Sequence, residues 1–322
     1  MVESRHRAAV AVVDAAGALV RAWGEVGRPV YGRSAIKPLQ ALPLVETGAA
    51  DRFGLSQAEI ALACASHDGE PCHVETVERW LARIGCTTAD LECGAHPPYQ
   101  QASAEALIRA NRPAGPQHNN CSGKHAGFLT TARHLGEPTR GYIRPDHPVQ
   151  VRILRVLQDM CGLDLAEAPR GTDGCGIPVI AMPLDRTALA MARLAAPETL
   201  PPVRAAAARR IVAAMIAEPV MVAGSNRFCT KVIAALAGRA VVKTGAEGVY
   251  CAVLPGLGLG VALKVDDGAA RAAEVVMGAV LRRLGLIDAD AEAALGEALA
   301  PPIRNRAGIE VGRLRPVAEA LS

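Results

Sequence analysis

Strand-forming sequence sits at the two ends of this chain, and that segregation limits the folds open to it. Residues 8–13 and 18–23 are short apolar runs around Asp14-Ala15-Ala16-Gly17 and read as a hairpin. Residues 239–243, 249–254 and 260–265 are β-rich runs separated by glycine turns, and a strongly helical stretch over 269–284 follows them. A hairpin at one end and a meander at the other predict one antiparallel sheet built from both, with residues 308–317 as a candidate further strand. Between the ends, helical signals dominate. Ser34 opens one helix, with Pro38 tolerated in its first turn. Ser56-Gln57-Ala58-Glu59 is a capping box starting a second, which ends near Ala65. Further helices are predicted over 73–84, 103–111, 123–135, 147–160, 201–217 and 226–237. The expected architecture is α/β of the α+β type in a single domain, 1–322. A sheet lobe takes about 1–33 and 239–322, and a mainly helical lobe takes about 34–238.

Composition removes several function classes. Half of the 322 residues are hydrophobic and 21% are charged, which excludes a disordered chain. A net charge of +3 and 3% aromatic residues give neither a basic footprint nor a stacking platform for nucleic acid. The apolar run ending at Asp14 is too short and interrupted for a secretory segment, and no stretch approaches a membrane span, so a cytoplasmic protein is expected. Nine cysteines occur without a Cys-x-x-Cys pair, so the default is reduced, buried thiols. Gly256-Leu257-Gly258-Leu259-Gly260 lies between two strands, where a dinucleotide fingerprint would need a helix, and is read as a turn.

Only five of the 35 basic residues are lysines, and three of those lie in chemically suggestive settings: Lys37, Lys124 and Lys243. Arginine is always charged, whereas a buried lysine can lose its proton and act as a base or ligand. Ser34-Ala35-Ile36-Lys37 together with Lys243-Thr244-Gly245 is the signature pair of penicillin-recognising serine hydrolases. The chemistry is acyl transfer. Lys37, one turn from Ser34, would take the serine proton, with burial and the nearby Lys243 cation keeping Lys37 neutral. Ser66 lies in Cys64-Ala65-Ser66-His67-Asp68-Gly69-Glu70. Successive side chains diverge, so this is no triad; Ser66 alone is expected to point inward and pair with Lys243. Which serine carries the acyl group stays open. Cys121 and Cys175 each sit in a glycine-rich loop and are candidate metal donors, Zn²⁺ best suiting thiolates. Spacing nominates His125 as a third ligand, lysine being a rare one.

Five blocks taken together resemble one family: Arg33 to Gln40, Cys64 to Glu70, His118 to Gly127, Gly171 to Gly176 and Val242 to Gly248. They are similar to the Rhizobium-etli-type, class 3 L-asparaginases of the asparaginase II family, from about residue 8 to the helix near 284. The resemblance implies a fold like that of serine β-lactamases, penicillin-binding proteins and serine-dependent glutaminases. It also implies a homodimer with two serine–lysine tandems per site, here Ser34/Lys37 and Ser66/Lys243. A zinc ion would be bound by Cys121, Lys124, Cys175 and water, which moves His125 out of the ligand set to a supporting or substrate contact. The implied reaction is hydrolysis of L-asparagine to L-aspartate and ammonia through an acyl-enzyme. Arg33 is the candidate for the α-carboxylate and Asp173 for the α-ammonium group, while zinc shapes the pocket. Three alternatives remain. A glutaminase differs by one methylene in its substrate. A β-lactamase or D,D-peptidase shares the motifs but is usually exported. A non-catalytic amino-acid or metal sensor has no need of two deprotonatable serine–lysine pairs.

Overall fold

The two chain ends meet in one sheet, as their sequences predict. The computed structural model describes residues 1–317. Its strands are β1 (Ala8–Asp14), β2 (Leu19–Trp23), β3 (Pro29–Tyr31), β4 (Arg170–Thr172) and β5 (Pro178–Pro183). Then come β6 (Val241–Thr244), β7 (Val249–Leu254), β8 (Leu259–Val265), β9 (Pro302–Arg304) and β10 (Glu310–Arg313). The main sheet runs β2-β1-β8-β7-β6 and is antiparallel throughout; Val12 opposite Val261 stitches the N-terminal hairpin to the C-terminal meander.

All six residues of β7 are buried, so both faces of the sheet centre are covered. Helices Leu184–Ala195 and Ala270–Arg283 pack on it. Gly260 makes one of these contacts: a Cβ there would lie 2.1 Å from Ala188 O and 2.2 Å from Ala192 N. Gly260 is therefore the second residue of β8, pressed against a helix backbone. Gly258, at φ 64°, makes the turn itself.

The expected helices form within a few residues of their predicted ends: Pro71–Arg83, Gln101–Arg109, Ser122–Leu135, Pro148–Cys161, Pro202–Ala217, Phe228–Leu236 and Ala270–Arg283. The capping box is present. Glu59 N–H donates to Ser56 Oγ at 3.3 Å and Ser56 N–H to the Glu59 carboxylate at 2.8 Å, starting helix Gln57–Ala63. Helix Ser122–Leu135 is buried from Ser122 to Ala132 and runs through the middle of the helical region. Gly123 lets it approach helix Gln57–Ala63; a Cβ there would sit 2.3 Å from Leu62 O. That close crossing carries Cys121, Lys124 and His125 inward.

Three features depart from expectation. The stretch read as mainly helical holds β4 and β5, which join β3 in a small sheet of order β3-β5-β4. β3 and β4, three residues each, carry too few residues to display an alternating pattern, and β5 begins and ends on proline. Helix Leu184–Ala195, bracketed by Pro183 and Pro197, is not among the helices predicted from the sequence. The tail strand forms, but β10 pairs with β9 in a separate ribbon and not with the main sheet. Among the described residues, no helix is long and apolar enough to cross a membrane.

Candidate functional site

Ser66 stands where helix Gln57–Ala63 has ended, its N–H donating to Val222 O at 3.0 Å. Two amines converge on its hydroxyl. Lys37 Nζ lies 3.0 Å from Ser66 Oγ and Lys243 Nζ 2.8 Å. Lys37 also donates to Ala65 O, and Lys243 to Thr244 O at 2.8 Å. All three side chains are buried, and neither amine has a carboxylate partner among the described residues. Unpaired buried cations are costly, and the usual relief is loss of a proton. Burial first, and the Lys37 charge second, push Lys243 down to about 7. The sequence reading cast Lys243 as the cation and Lys37 as the loosened amine. Here it is Lys243 whose proton is loosened.

Ser34 lies in a 3-10 turn, Arg33–Ile36, which passes directly into helix Lys37–Gln40 with Pro38 in its first turn. Side chains three apart on a 3-10 turn lie over one another, which puts Ser34 on the side of Lys37. Its hydroxyl has no hydrogen-bond partner among the described residues, and it is half-buried where Ser66 is closed off. Arg33 precedes it at φ 47°, a left-handed conformation that costs a non-glycine residue about 1–2 kcal/mol. The Arg33 side chain is held by Asp173, Nε to Oδ1 at 2.9 Å. The strand bearing Lys243 closes over the turn: a Cβ on Gly245 would be 3.1 Å from Ala35 N and 3.2 Å from Gly32 O. Arg33 and Asp173, assigned to opposite ends of an amino acid, are thus each other's partner beside Ser34.

Cys121, Lys124 and Cys175 form a second buried cluster. Lys124 Nζ donates to Cys175 Sγ at 3.0 Å, and Cys175 Sγ to Asp173 Oδ2 at 3.7 Å. A hydrogen bond with Cys175 holds the Cys121 thiol well below its usual range, and Lys37 and Lys124 add to that. The same bond and burial push Cys175 up. Burial opposes the Lys124 charge, but Cys175, Cys121 and Asp173 outweigh it and raise Lys124. Among the described residues no three His, Cys, Asp or Glu side chains gather as a metal site. What gathers is two sulfurs and one amine. His125 is apart from them. Tyr142 OH accepts from Glu92 N–H at 2.7 Å, so its proton goes to His125 Nδ1 at 2.8 Å. His125 Nε2 then carries a proton with no partner among the described residues. Burial, then Lys124 and Lys37, keep this imidazole well below its usual pKa.

Sequence reasoning missed the partners of the Ser66 loop. Asp68 Oδ1 accepts from Arg227 Nη1 at 2.5 Å, and Arg227 is one of the charges acting on Lys243. His67 Nδ1 accepts from Gly69 N–H at 3.2 Å, so its Nε2–H donates to Ser122 Oγ at 2.9 Å. That bond ties the Ser66 loop to the helix bearing Lys124. Neither pairing has a spacing signal, because the partners are distant in the chain.

A family model described as L-asparaginase II matches residues 1–316. No curated protein matches the chain. Among solved structures, a β-lactamase from Mycobacterium bovis is 17% identical with a TM-score of 0.40, covering 91% of this chain and 95% of that one. Mglu, in its native form at 4.3 M NaCl, is 16% identical with a TM-score of 0.39, covering 94% of this chain and 66% of that one.

Proposed function

The chain belongs to the L-asparaginase II family, asparaginase-type amidohydrolases, and we propose that it hydrolyses L-asparagine through a serine–lysine acyl-enzyme. The observation that carries this reading is the hydrogen-bonded chain Lys37–Ser66–Lys243, with Ser34 three residues before Lys37 in the turn that leads into its helix.

Ser34 is the nucleophile because its hydroxyl is partly exposed and uncommitted, whereas Ser66 is enclosed between two amines. Lys243, its proton loosened, is the store for the serine proton. Ser66 passes a proton to Lys243 as Lys37 passes one to Ser66, and Lys37 then accepts the Ser34 proton. The alkoxide attacks the side-chain amide carbon. The free N–H of Ser34 at the start of its turn is one donor to the oxyanion. Collapse returns the stored proton to the leaving ammonia. Water then attacks the β-aspartyl ester by the same route, restoring Ser34 and releasing L-aspartate. Arg33 offers its remaining N–H groups to the α-carboxylate, Asp173 its carboxylate to the α-ammonium, and His125 Nε2–H is a donor awaiting an acceptor.

Cys121, Lys124 and Cys175 fit a thiophilic ion, since two sulfurs and an amine already face one another in a buried cluster. They would hold Zn²⁺, which when bound would fix that wall of the pocket. The family resemblance extends the same reading to a homodimer in the cytoplasm.

The test is ammonia release from L-asparagine and L-glutamine by wild type, Ser34→Ala and Ser66→Ala. Asparagine turnover abolished in Ser34→Ala and strongly slowed in Ser66→Ala is expected. Release from neither amide by the wild type would overturn the reading, and a preference for glutamine would reassign the substrate.

A further inference from the structure

The loop carrying Ser66 is fastened to residues 220–227 at four points. Ser66 N–H donates to Val222 O at 3.0 Å. His73 Nδ1 accepts from Glu70 N–H at 3.1 Å, so His73 Nε2–H donates to Val220 O at 2.9 Å. Arg227 pairs with Asp68. The fourth point is Glu70: Oε1 accepts from Ser225 N–H and Oε2 from Ser225 Oγ–H, both at 2.7 Å.

Glu70 is buried at 7% exposure and has no ion-pair partner among the described residues. A buried carboxylate costs free energy unless its hydrogen bonds are complete, so its presence here calls for a reason. The local geometry supplies one. Gly224 adopts φ +136°, and a Cβ there would lie 2.8 Å from Glu70 Oε1 and 3.0 Å from Asp68 Oδ2. Only glycine lets the backbone come so close. Thr230 Oγ1 holds the same residue from the other side, donating to Gly224 O at 2.6 Å. Two residues before Gly224 is Val222, whose carbonyl is the backbone tether of Ser66.

We propose that Glu70 is a positioning residue: by gripping Ser225 across Gly224 it fixes the Val222 carbonyl, and through it the Ser66 hydroxyl between Lys37 and Lys243. The inference rests on the reading of Ser66 as the proton relay. Loss of the grip lets Ser66 drift from one lysine or both, while substrate contacts around Ser34, Arg33 and Asp173 stay in place.

The experiment compares wild type, Glu70→Ala, Glu70→Gln and Ser225→Ala. A displacement of the order of 1 Å costs about 100-fold in rate, so Glu70→Ala is expected to lower kcat by about that factor with KM within about threefold. Glu70→Gln keeps one oxygen for Ser225 N–H and recovers kcat to within about tenfold of wild type. Ser225 is exposed, so Ser225→Ala removes a single hydrogen bond from a surface residue and carries the test if Glu70→Ala does not fold. The second readout needs no substrate. Lysine labelled with ¹³C at Cε gives five signals in this chain, and Lys→Arg variants assign those of Lys37 and Lys243. Both should move in Glu70→Ala, and Lys264 should not. Lysine signals unchanged in folded Glu70→Ala, or a loss of activity matched by KM alone, would overturn the proposal. If the wild type releases no ammonia from asparagine, the asparaginase reading falls and the lysine signals alone decide the role of Glu70.

Discussion

Replacing Lys37 with methionine should return about half of the lost proton affinity to Lys243. Both amines contact one oxygen, at 3.0 and 2.8 Å, so their nitrogens are no more than about 6 Å apart. At an effective dielectric of about 20, two unit charges at that separation repel by about 3 kcal/mol, equivalent to about two pH units. Burial is the largest single cause of the depression of Lys243, Cys229 and Cys121 partly offset it, and an apolar side chain of similar length leaves these almost intact. The Lys243 midpoint should therefore rise from about 7 to about 9 in Lys37→Met. The assay is a pH titration of the ¹³Cε lysine signals, with Lys243 assigned from Lys243→Arg. A midpoint that stays near 7 would refute the reasoning, because it would leave burial as the whole cause. Stability follows with a definite sign. Folded Lys243 binds its proton more weakly than unfolded lysine, whose value is near 10.5, so between about 7 and 10.5 the unfolded chain holds more protons. Folding stability from this group rises with pH across that window and is lowest below 7. In Lys37→Met the window narrows to its upper end.

In the wild type, turnover that needs neutral Lys243 falls about tenfold for each pH unit below 7 and levels off above 8, measurable as ammonia release against pH. Gly260→Ala drives a methyl into Ala188 O and Ala192 N; overpacking of that kind costs about 1–3 kcal/mol, read as a lower midpoint in urea. Arg33→Ala removes the partner of Asp173 beside Ser34 and is expected to raise KM at least about tenfold, the value of one charge-assisted contact. Zinc added to chelator-treated protein should raise the Tm, and Cys175→Ser should lose that increment.

The sheet was legible in the sequence because each of its strands is flanked by glycine turns and its end pieces have no other hydrophobic surface to cover. Helices beginning at Ser56 and Ser122 were legible from capping and composition. The small β3-β5-β4 sheet was not, since β3 and β4 are three residues long and β4 runs into Gly171-Thr172-Asp173-Gly174, which reads as loop. At the site, the sequence reading grouped Ser34 with Lys37 and Ser66 with Lys243, and gave no sign of the contact between Lys37 and Ser66. That contact depends on where Ala65 O holds Lys37 and Val222 O holds Ser66, which is tertiary information. The same limit hid Arg227, Asp68 and Glu70: their partners lie more than 150 residues away, and no local pattern records a contact of that range.

The distribution of cations argues for the proton-storing role of Lys243 independently of its pKa. Every ion pair to a carboxylate among the described residues is made by an arginine or by His6, and none by a lysine. Where this chain sets a permanently charged side chain against a carboxylate, it uses a guanidinium. Lys243 instead faces Ser66 Oγ and a backbone carbonyl, a setting that asks for an amine able to exist in two protonation states. Lys243→Arg tests this directly, because guanidinium keeps the charge and the donors but cannot be deprotonated near neutral pH. Proton transfer by a positioned group contributes about 100- to 10,000-fold, so kcat should fall within that range while the protein still folds. Lys231→Arg and Lys264→Arg, outside the cluster, are the controls and should keep their rates. Lys243→Arg with rate and pH profile intact would mean that the site needs only a positive charge there, and the proton relay through Ser66 would have to be abandoned.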